Sequence, residues 1–402
     1  MRTSGGRTLG VVLTAAAVLG FAPSSALPVA AAEGRAHVSP DSPNPSSTTN
    51  VLQAVSASSA NDVWAVGEYE TSGEAYDTLI LHWNGSVWSE VPSPDPSSTD
   101  NDLDAVRAVS STNAWAVGDY VNDATHATET LILHWNGTVW SMHASPNPSS
   151  VFNSLEGVNV SSTSPRSGWA VGAYDNVQAG IEETLTIHWN GTKWSRVTSP
   201  NPSTKEDSLS SVRVPSQTNA WAVGYGGASI QHTLILHWNG SKWSRVTSPN
   251  PSTTHDDLRS TSGVSPTNGW AVGEYVGNSS HVPETLVLHW NGSSWSHVSS
   301  PSPSSVKYGS VLASVRAVSS TNAWAVGQYE DNTTGRTDSL VLRWNGTKWT
   351  SATVPEPGTT DVLLGVTATS ATNAWAVGYY VDASSNSLTY VLHWNGTSWS
   401  QA

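Results

Sequence analysis

The 21 tryptophans of this 402-residue chain fall into three sets of seven, each recurring with the same local neighbours. Trp64, Trp115, Trp169, Trp221, Trp270, Trp324 and Trp375 each open a Trp-Ala-Val-Gly tetrapeptide. Trp83, Trp135, Trp189, Trp238, Trp290, Trp344 and Trp394 each precede Asn-Gly, and Trp88, Trp140, Trp194, Trp243, Trp295, Trp349 and Trp399 complete the pattern. Successive copies of the first tryptophan lie 49 to 54 residues apart. A period of that size means one array of repeated units, not two or three unrelated domains.

In the first copy, residues 52–57 and 63–69 are short segments rich in β-branched and aromatic residues, with turn residues at 58–62 between them. A third strand is expected at 78–83 and a fourth at 87–91. Asn84-Gly85 predicts a two-residue type I′ hairpin, since both positions accept positive φ. That register sets Trp83 opposite Ser86, with Trp88 on the face of Trp83 and Leu81. Thr-Leu-Ile-Leu-His-Trp at 78–83 is apolar on both alternating faces, as in a sheet covered on both sides.

The fold class that follows is all-β, a seven-bladed β-propeller of four-stranded antiparallel blades. Its blades cover approximately 51–98, 99–150, 151–203, 204–252, 253–304, 305–358 and 359–402. A solenoid is the competing geometry. Against it, neither end carries an atypical capping repeat, and Ser42-Pro43-Asn44-Pro45-Ser46 copies the linker that follows each unit but stands before the first. The segment 33–50 is therefore expected to meet the last blade and close the ring.

The succession of an apolar strand, Trp-Ala-Val-Gly, Leu-Ile-Leu-His-Trp-Asn-Gly and Trp-Ser resembles kelch and tectonin repeats, and more loosely the neuraminidase-type repeats of secreted propellers. It departs from kelch in having Gly67-Glu68 and Gly118-Asp119 where a double glycine would stand, and no Ser-x-Asp-x-Gly box is present. The resemblance implies a propeller, a fold that hosts lectins, scaffolds, lyases and hydrolases, so function has to be argued from sites.

Arg2 and Arg7, the apolar run 9–21 and Ala30-Ala31-Ala32 have the layout of a cleaved signal peptide covering residues 1–32. The protein is expected to be secreted and extracellular, without membrane insertion. With no cysteine, disulfides and thiolate metal sites are excluded. A formal charge of −14, with only 12% charged residues, argues against nucleic acid as a partner.

In an up-and-down blade the first and third connections lie on one side, and the second connection and the linkers on the other. The first side is uniform. The second carries the variable stretches, and by topology is the expected binding face. Two rings of candidate ligand-binding residues lie on or near it. Tyr69, Tyr120, Tyr174, Tyr275, Tyr329 and Tyr380 follow the repeat glycine, and Asp77, Glu129, Glu183, Glu284 and Asp338 open third strands. They suit a sugar-stacking or cation-binding crown, or else a structural Tyr–carboxylate contact repeated with the unit. On the innermost strand, Arg107, Arg213 and Arg316 occupy positions filled elsewhere by Ser56, Asn159, Ser262 and Thr367. Three arginines lining an axis would hold a carboxylate, sulfate or phosphate; alternatively they pair with acids or face solvent.

Histidines before the second tryptophan (His82, His134, His188, His237, His289 and His393, with Arg343 in the remaining copy) are spread one per unit, too far apart for one metal site. His126, His232, His255, His281, Asp256 and Asp257 stand outside the pattern, with no spacing that links any two. No catalytic residue, metal site or cofactor is expected from these patterns. The sequence thus favours a non-enzymatic recognition or scaffold module, a monomer binding a glycan or an extracellular protein through its loop face. The alternative is a secreted glycan-active lyase or hydrolase using the same face.

Overall fold

The computed structural model describes residues 42–162 and 167–402; the expected signal peptide and the first half of the segment 33–50, residues 33–41, lie outside them. The described residues contain 28 β-strands. The first four are β1 (Asn50–Ser59), β2 (Asp62–Glu70), β3 (Tyr76–Trp83) and the short β4 (Trp88–Glu90), paired antiparallel in that order. The same antiparallel pairing of four successive strands recurs along the chain, and the groups are numbered here as sets one to seven. No helix among the described residues is long and apolar enough to cross a membrane.

The connection between β3 and β4 departs from the sequence expectation. Trp83 pairs directly with Trp88, so the loop has four residues rather than two. Only Gly85 has positive φ, at 98°. Asn84 instead folds the loop with its side chain, Oδ1 accepting from Ser86 N at 3.0 Å and Val87 N at 3.1 Å. Such an Asx turn replaces the type I′ turn, and it sets the second and third tryptophans side by side, 5.9 Å apart between centroids with their planes tilted by 46°.

The first tryptophan acts between sets. Trp64, fully buried, meets Trp135 at 5.0 Å and Trp140 edge-on at 5.1 Å, both in set two. Trp115, Trp169, Trp221, Trp270 and Trp324 repeat this against the set that follows each of them. Trp375, in the last set, packs on Trp83 and Trp88 of the first, at 5.0 and 5.3 Å. Edge-to-face indoles add about 0.5–1.5 kcal/mol each beyond the area they bury. The aliphatic core follows the same rule: Leu79 and Leu81 pack toward set seven, and Ile80, on the opposite face of the same strand, toward set two.

The histidines belong to this framework. His82 stacks on Trp64 at 4.1 Å and contacts Asp62 Oδ1 at 2.7 Å. Burial, with a contribution from His143, pulls the His134 imidazole down to about 4. Arg343 keeps the same place in set six, its guanidinium 5.1 Å from the Trp324 ring and 5.3 Å from Trp394.

A bulge in every first strand explains the repeat glycine. The register slips between Leu52 and Ala54, leaving Gln53 unpaired and turning the Val51 carbonyl toward β2. A Cβ on Gly67 would lie 2.1 Å from that oxygen, and one on Gly327 2.0 Å from Val311 O, so only glycine fits.

Linkers fasten each set to itself and to the next. Asp95 Oδ1 accepts from Thr78 N at 2.8 Å, and Asn147 and Asn201 do the same for Thr130 and Thr184. For set seven the acceptor comes from the other end of the chain: Asn44 Oδ1 accepts from Thr389 N at 2.6 Å, and the Ser42 and Thr389 hydroxyls are 2.7 Å apart. A single parallel bridge, such as Tyr76 with Asp100 or Thr49 with Ser387, joins most third strands to the first strand of the next set. At the junction of sets five and six Pro283 stands in the Tyr76 position, has no N–H to give, and no such bridge is formed among the described residues.

Candidate ligand-binding face and axial cavity

The seven first strands converge on one cavity of about 410 Å³. Two rings of side chains project into it at different depths. Bulged residues make the ring nearer the linker end of the strands: Gln53, Asp104, Glu156, Ser210 and Arg259 among them. Arg107, Arg213 and Arg316, with Ser56, Asn159, Ser262 and Thr367, make the second, three residues further along. At roughly 3.3 Å per residue the rings are separated by up to about 10 Å, and the arginines lie toward the uniform turns. They are therefore at the opposite end of the cavity from the variable connections, whereas the ring of bulged residues faces those connections.

Each arginine reaches a backbone carbonyl of the following set. Arg107 Nε donates to Val160 O at 3.3 Å, Arg316 Nε to Ala368 O at 3.4 Å, and Arg213 Nη2 to Ser265 O at 2.6 Å. The Arg213 guanidinium lies in a notch opened by two glycines, where a Cβ on Gly263 would sit 2.6 Å from its Cζ. Burial lowers the Arg107 pKa to about 10, with repulsion from Arg316 adding to it, and burial alone lowers Arg213 to about 10.

The tyrosines are cross-strand partners of the third-strand acids. Tyr120 Oη donates to Glu129 at 2.7 Å and Tyr275 Oη to Glu284 at 2.6 Å; Tyr174 bonds Glu183, and Arg196 lies over its ring at 4.4 Å. Tyr69 stands opposite Asp77 and Tyr329 opposite Asp338, while Tyr380 faces Leu388 and meets Tyr390 edge-on. Burial first, then the partner carboxylate, pushes Tyr120 and Tyr275 up to about 12. These rings also pack into the cores between sets, Tyr69, Tyr120, Tyr275 and Tyr329 at their margins and Tyr174 inside one, so little ring face is left to stack on a ligand.

One cluster joins residues that sequence spacing does not connect. In set five, His255 Nε2 lies 3.8 Å from both Asp257 and Glu274, and Arg259 Nη2 donates to Glu274 at 2.6 Å. The Glu274 carboxylate, with Asp257 nearby, raises the His255 pKa against the opposing effect of burial. Burial raises Asp257; for Glu274 the adjacent Arg259 overcomes burial and the net shift is downward. His255 and Asp257 stand out in the sequence, but Glu274 and Arg259 do not. Their only signal is position, the residue after the repeat glycine and the bulge. His255, Asp257 and Glu274 place donor atoms within 4.8 Å of one another, as do Asp102, Asp104 and Asp119 and also Asp338, Glu356 and Asp361. In the first of these groups Arg259 already supplies the positive charge a cation would bring.

A second irregularity lies at the entry to the first strand. Asn101 is fully buried and donates through Nδ2 to Tyr76 O at 3.0 Å and Ser97 O at 2.9 Å. Set four has Asp207 there, 1% exposed; one oxygen accepts from Ser203 N at 2.8 Å and Oδ1 has no partner among the described residues. Burial pushes its pKa to about 6. The sign follows: a raised carboxyl favours the protonated fold, so this stability is full below about pH 4 and lost as pH rises through about 6. Asp207→Asn restores the donor and is expected to stabilise the protein at pH 8 by about 2–3 kcal/mol, with little change at pH 4. Thermal unfolding across pH checks this.

Neither a protein-family model nor a curated protein matches the chain in sequence. Among solved structures, the GH74 xyloglucanase of Xanthomonas campestris is 13% identical, with a TM-score of 0.56 over 87% of this chain and 52% of its own. A PL25 ulvan lyase bound to a GlcA(1-4)Rha3S repeat is 10% identical, with a TM-score of 0.53 over 86% and 92%. The Aleuria aurantia lectin is 11% identical, with a TM-score of 0.43 over 87% and 94%. This chain thus spans about half the length of the xyloglucanase. At these identities the likeness is one of fold: an all-β protein whose four-stranded antiparallel sheets match β-propellers.

Proposed function

We propose that the chain is a secreted, monomeric, seven-bladed β-propeller of the kelch and tectonin type, and that it acts as a non-enzymatic recognition module. Its ligand is a glycan or an extracellular protein, bound on the face that carries the second connections and the linkers. The observation behind this reading is the segregation of irregularity. The Asn-Gly loops of one side repeat from unit to unit, as do its short turns apart from the longer connection between Val160 and Gly168, while connections such as 71–75, 122–127, 177–180 and 228–230 differ in length and side chains on the other. Asp104 and Glu156 at the cavity mouth on that face favour a partner presenting amino or guanidinium groups, and attraction of that kind weakens with salt.

A second reading is a lyase or hydrolase acting on a polysaccharide. The cluster His255, Asp257, Glu274 and Arg259 favours it, because carboxylates with opposed pKa shifts beside a cation could divide acid and base roles. Fold neighbours named as a xyloglucanase and an ulvan lyase work on polysaccharides. Glycan-array binding, run beside a turnover assay on a polysaccharide panel, separates the two. Saturable, salt-sensitive binding without turnover is expected; turnover lost in Glu274→Gln would overturn the recognition reading in favour of the enzyme.

A further inference from the structure

The arginine ring is rich in donors and poor in acceptors. Arg107 and Arg316 each commit Nε to a carbonyl, and both Nη groups of each have no hydrogen-bond partner among the described residues. Ser56 Oγ accepts from Ala108 N at 3.1 Å and Ser262 Oγ from Ala317 N at 3.0 Å, which leaves each hydroxyl hydrogen free to be donated. No carboxylate occupies any of the seven positions at this level, and none of the three arginines forms an ion pair among the described residues. Two half-buried guanidiniums lining one cavity with no carboxylate at their own level are incompletely solvated, a cost that an anion between them would remove.

We infer that Arg107 and Arg316 form an oxyanion site inside the axial cavity, taking a sulfate, phosphate or carboxylate group between their Nη atoms, with Ser56 and Ser262 as further donors. The planar fork of each guanidinium fits two oxygens of such a group. Arg316 adds, after burial, to the lowering of the Arg107 pKa, whereas burial alone lowers that of Arg316. Arg213 is not part of the pair, since its guanidinium lies in the glycine notch against Ser265. The site lies at the far end of the cavity from the variable face, so it stands or falls separately from the recognition reading.

The repeat itself supplies the test variants, because serine and threonine fill the same position in sets one and seven. Thermal unfolding of the wild type is expected to rise by roughly 3–4 °C at a hundredfold excess of sulfate or phosphate over Kd, relative to chloride at equal ionic strength. In Arg107→Ser/Arg316→Thr this increment should vanish, while the melting temperature in chloride stays level or rises as the repulsion is relieved. Methyl glucuronide and a glucuronate-ended oligosaccharide, used beside inorganic sulfate, distinguish a free ion from the acidic end of a glycan. A selenate soak adds a readout needing no variant: anomalous density between the two guanidiniums is expected. The inference is overturned by a wild type indifferent to oxyanions, by an increment that survives in the double variant, or by selenate found only elsewhere.

Discussion

Replacing Trp375 with alanine is expected to lower the free energy of unfolding by about 3–5 kcal/mol, the range for deleting a large aromatic from a packed core. Trp375 is 1% exposed and is one of the contacts through which the last set meets the first. It stacks on His393 at 4.2 Å within its own set, then presents its other surfaces to Trp83 and, edge-on, to Trp88. Truncation leaves a void lined by three aromatic rings that β-sheet backbones on either side prevent from collapsing. Urea unfolding followed by circular dichroism measures the cost. A loss below about 1 kcal/mol would mean that the two ends of the chain do not share a core. Trp375→Phe should recover part of the loss, since one ring still reaches the cluster.

Asn50→Ala is expected to cost about 3–4 kcal/mol, because it strands three polar groups at once, two of them buried and one half-buried. The Asn50 side chain accepts from Ser46 N at 2.9 Å and donates to Ser46 O at 2.8 Å and to Ser387 O of set seven at 3.2 Å. Asn101 makes the equivalent bonds to Ser97 and to Tyr76, between sets that are consecutive in sequence. The two substitutions should therefore cost the same within about 0.5 kcal/mol if the last and first sets meet as any other neighbours do. An Asn50→Ala that costs much less than Asn101→Ala contradicts that equivalence.

How far the chain is legible depends on whether a feature repeats. Tryptophan spacing and alternating apolar strands are copied along the chain, and each copy reinforces the reading of the others; the strands of every set fall where those patterns put them. The Asn-Gly loop misleads because Asn84 has two ways to make a turn, by positive φ or by its side chain accepting backbone N–H groups, and the dipeptide looks alike in both. Repetition also conceals chemistry. Glu274 and Arg259 are ordinary residues at pattern positions, and only the bulge, which periodicity does not show, turns Arg259 toward Glu274 and Asp257. The arginine positions are visible as breaks in the repeat, but their depth is not. It takes the direction of the first strand, entering from the linker side, to set them toward the uniform turns.

The chain has no cysteine, so a pair introduced at Ser42 and Thr389 reports one distance cleanly. The two hydroxyls lie 2.7 Å apart across 347 residues of sequence. In Ser42→Cys/Thr389→Cys, air oxidation of the folded monomer is expected to give one intramolecular disulfide, with a rise in melting temperature that dithiothreitol reverses. Thiols that stay free in the native protein, or that pair only between chains, would contradict a circuit of sheets closed by the first and last segments.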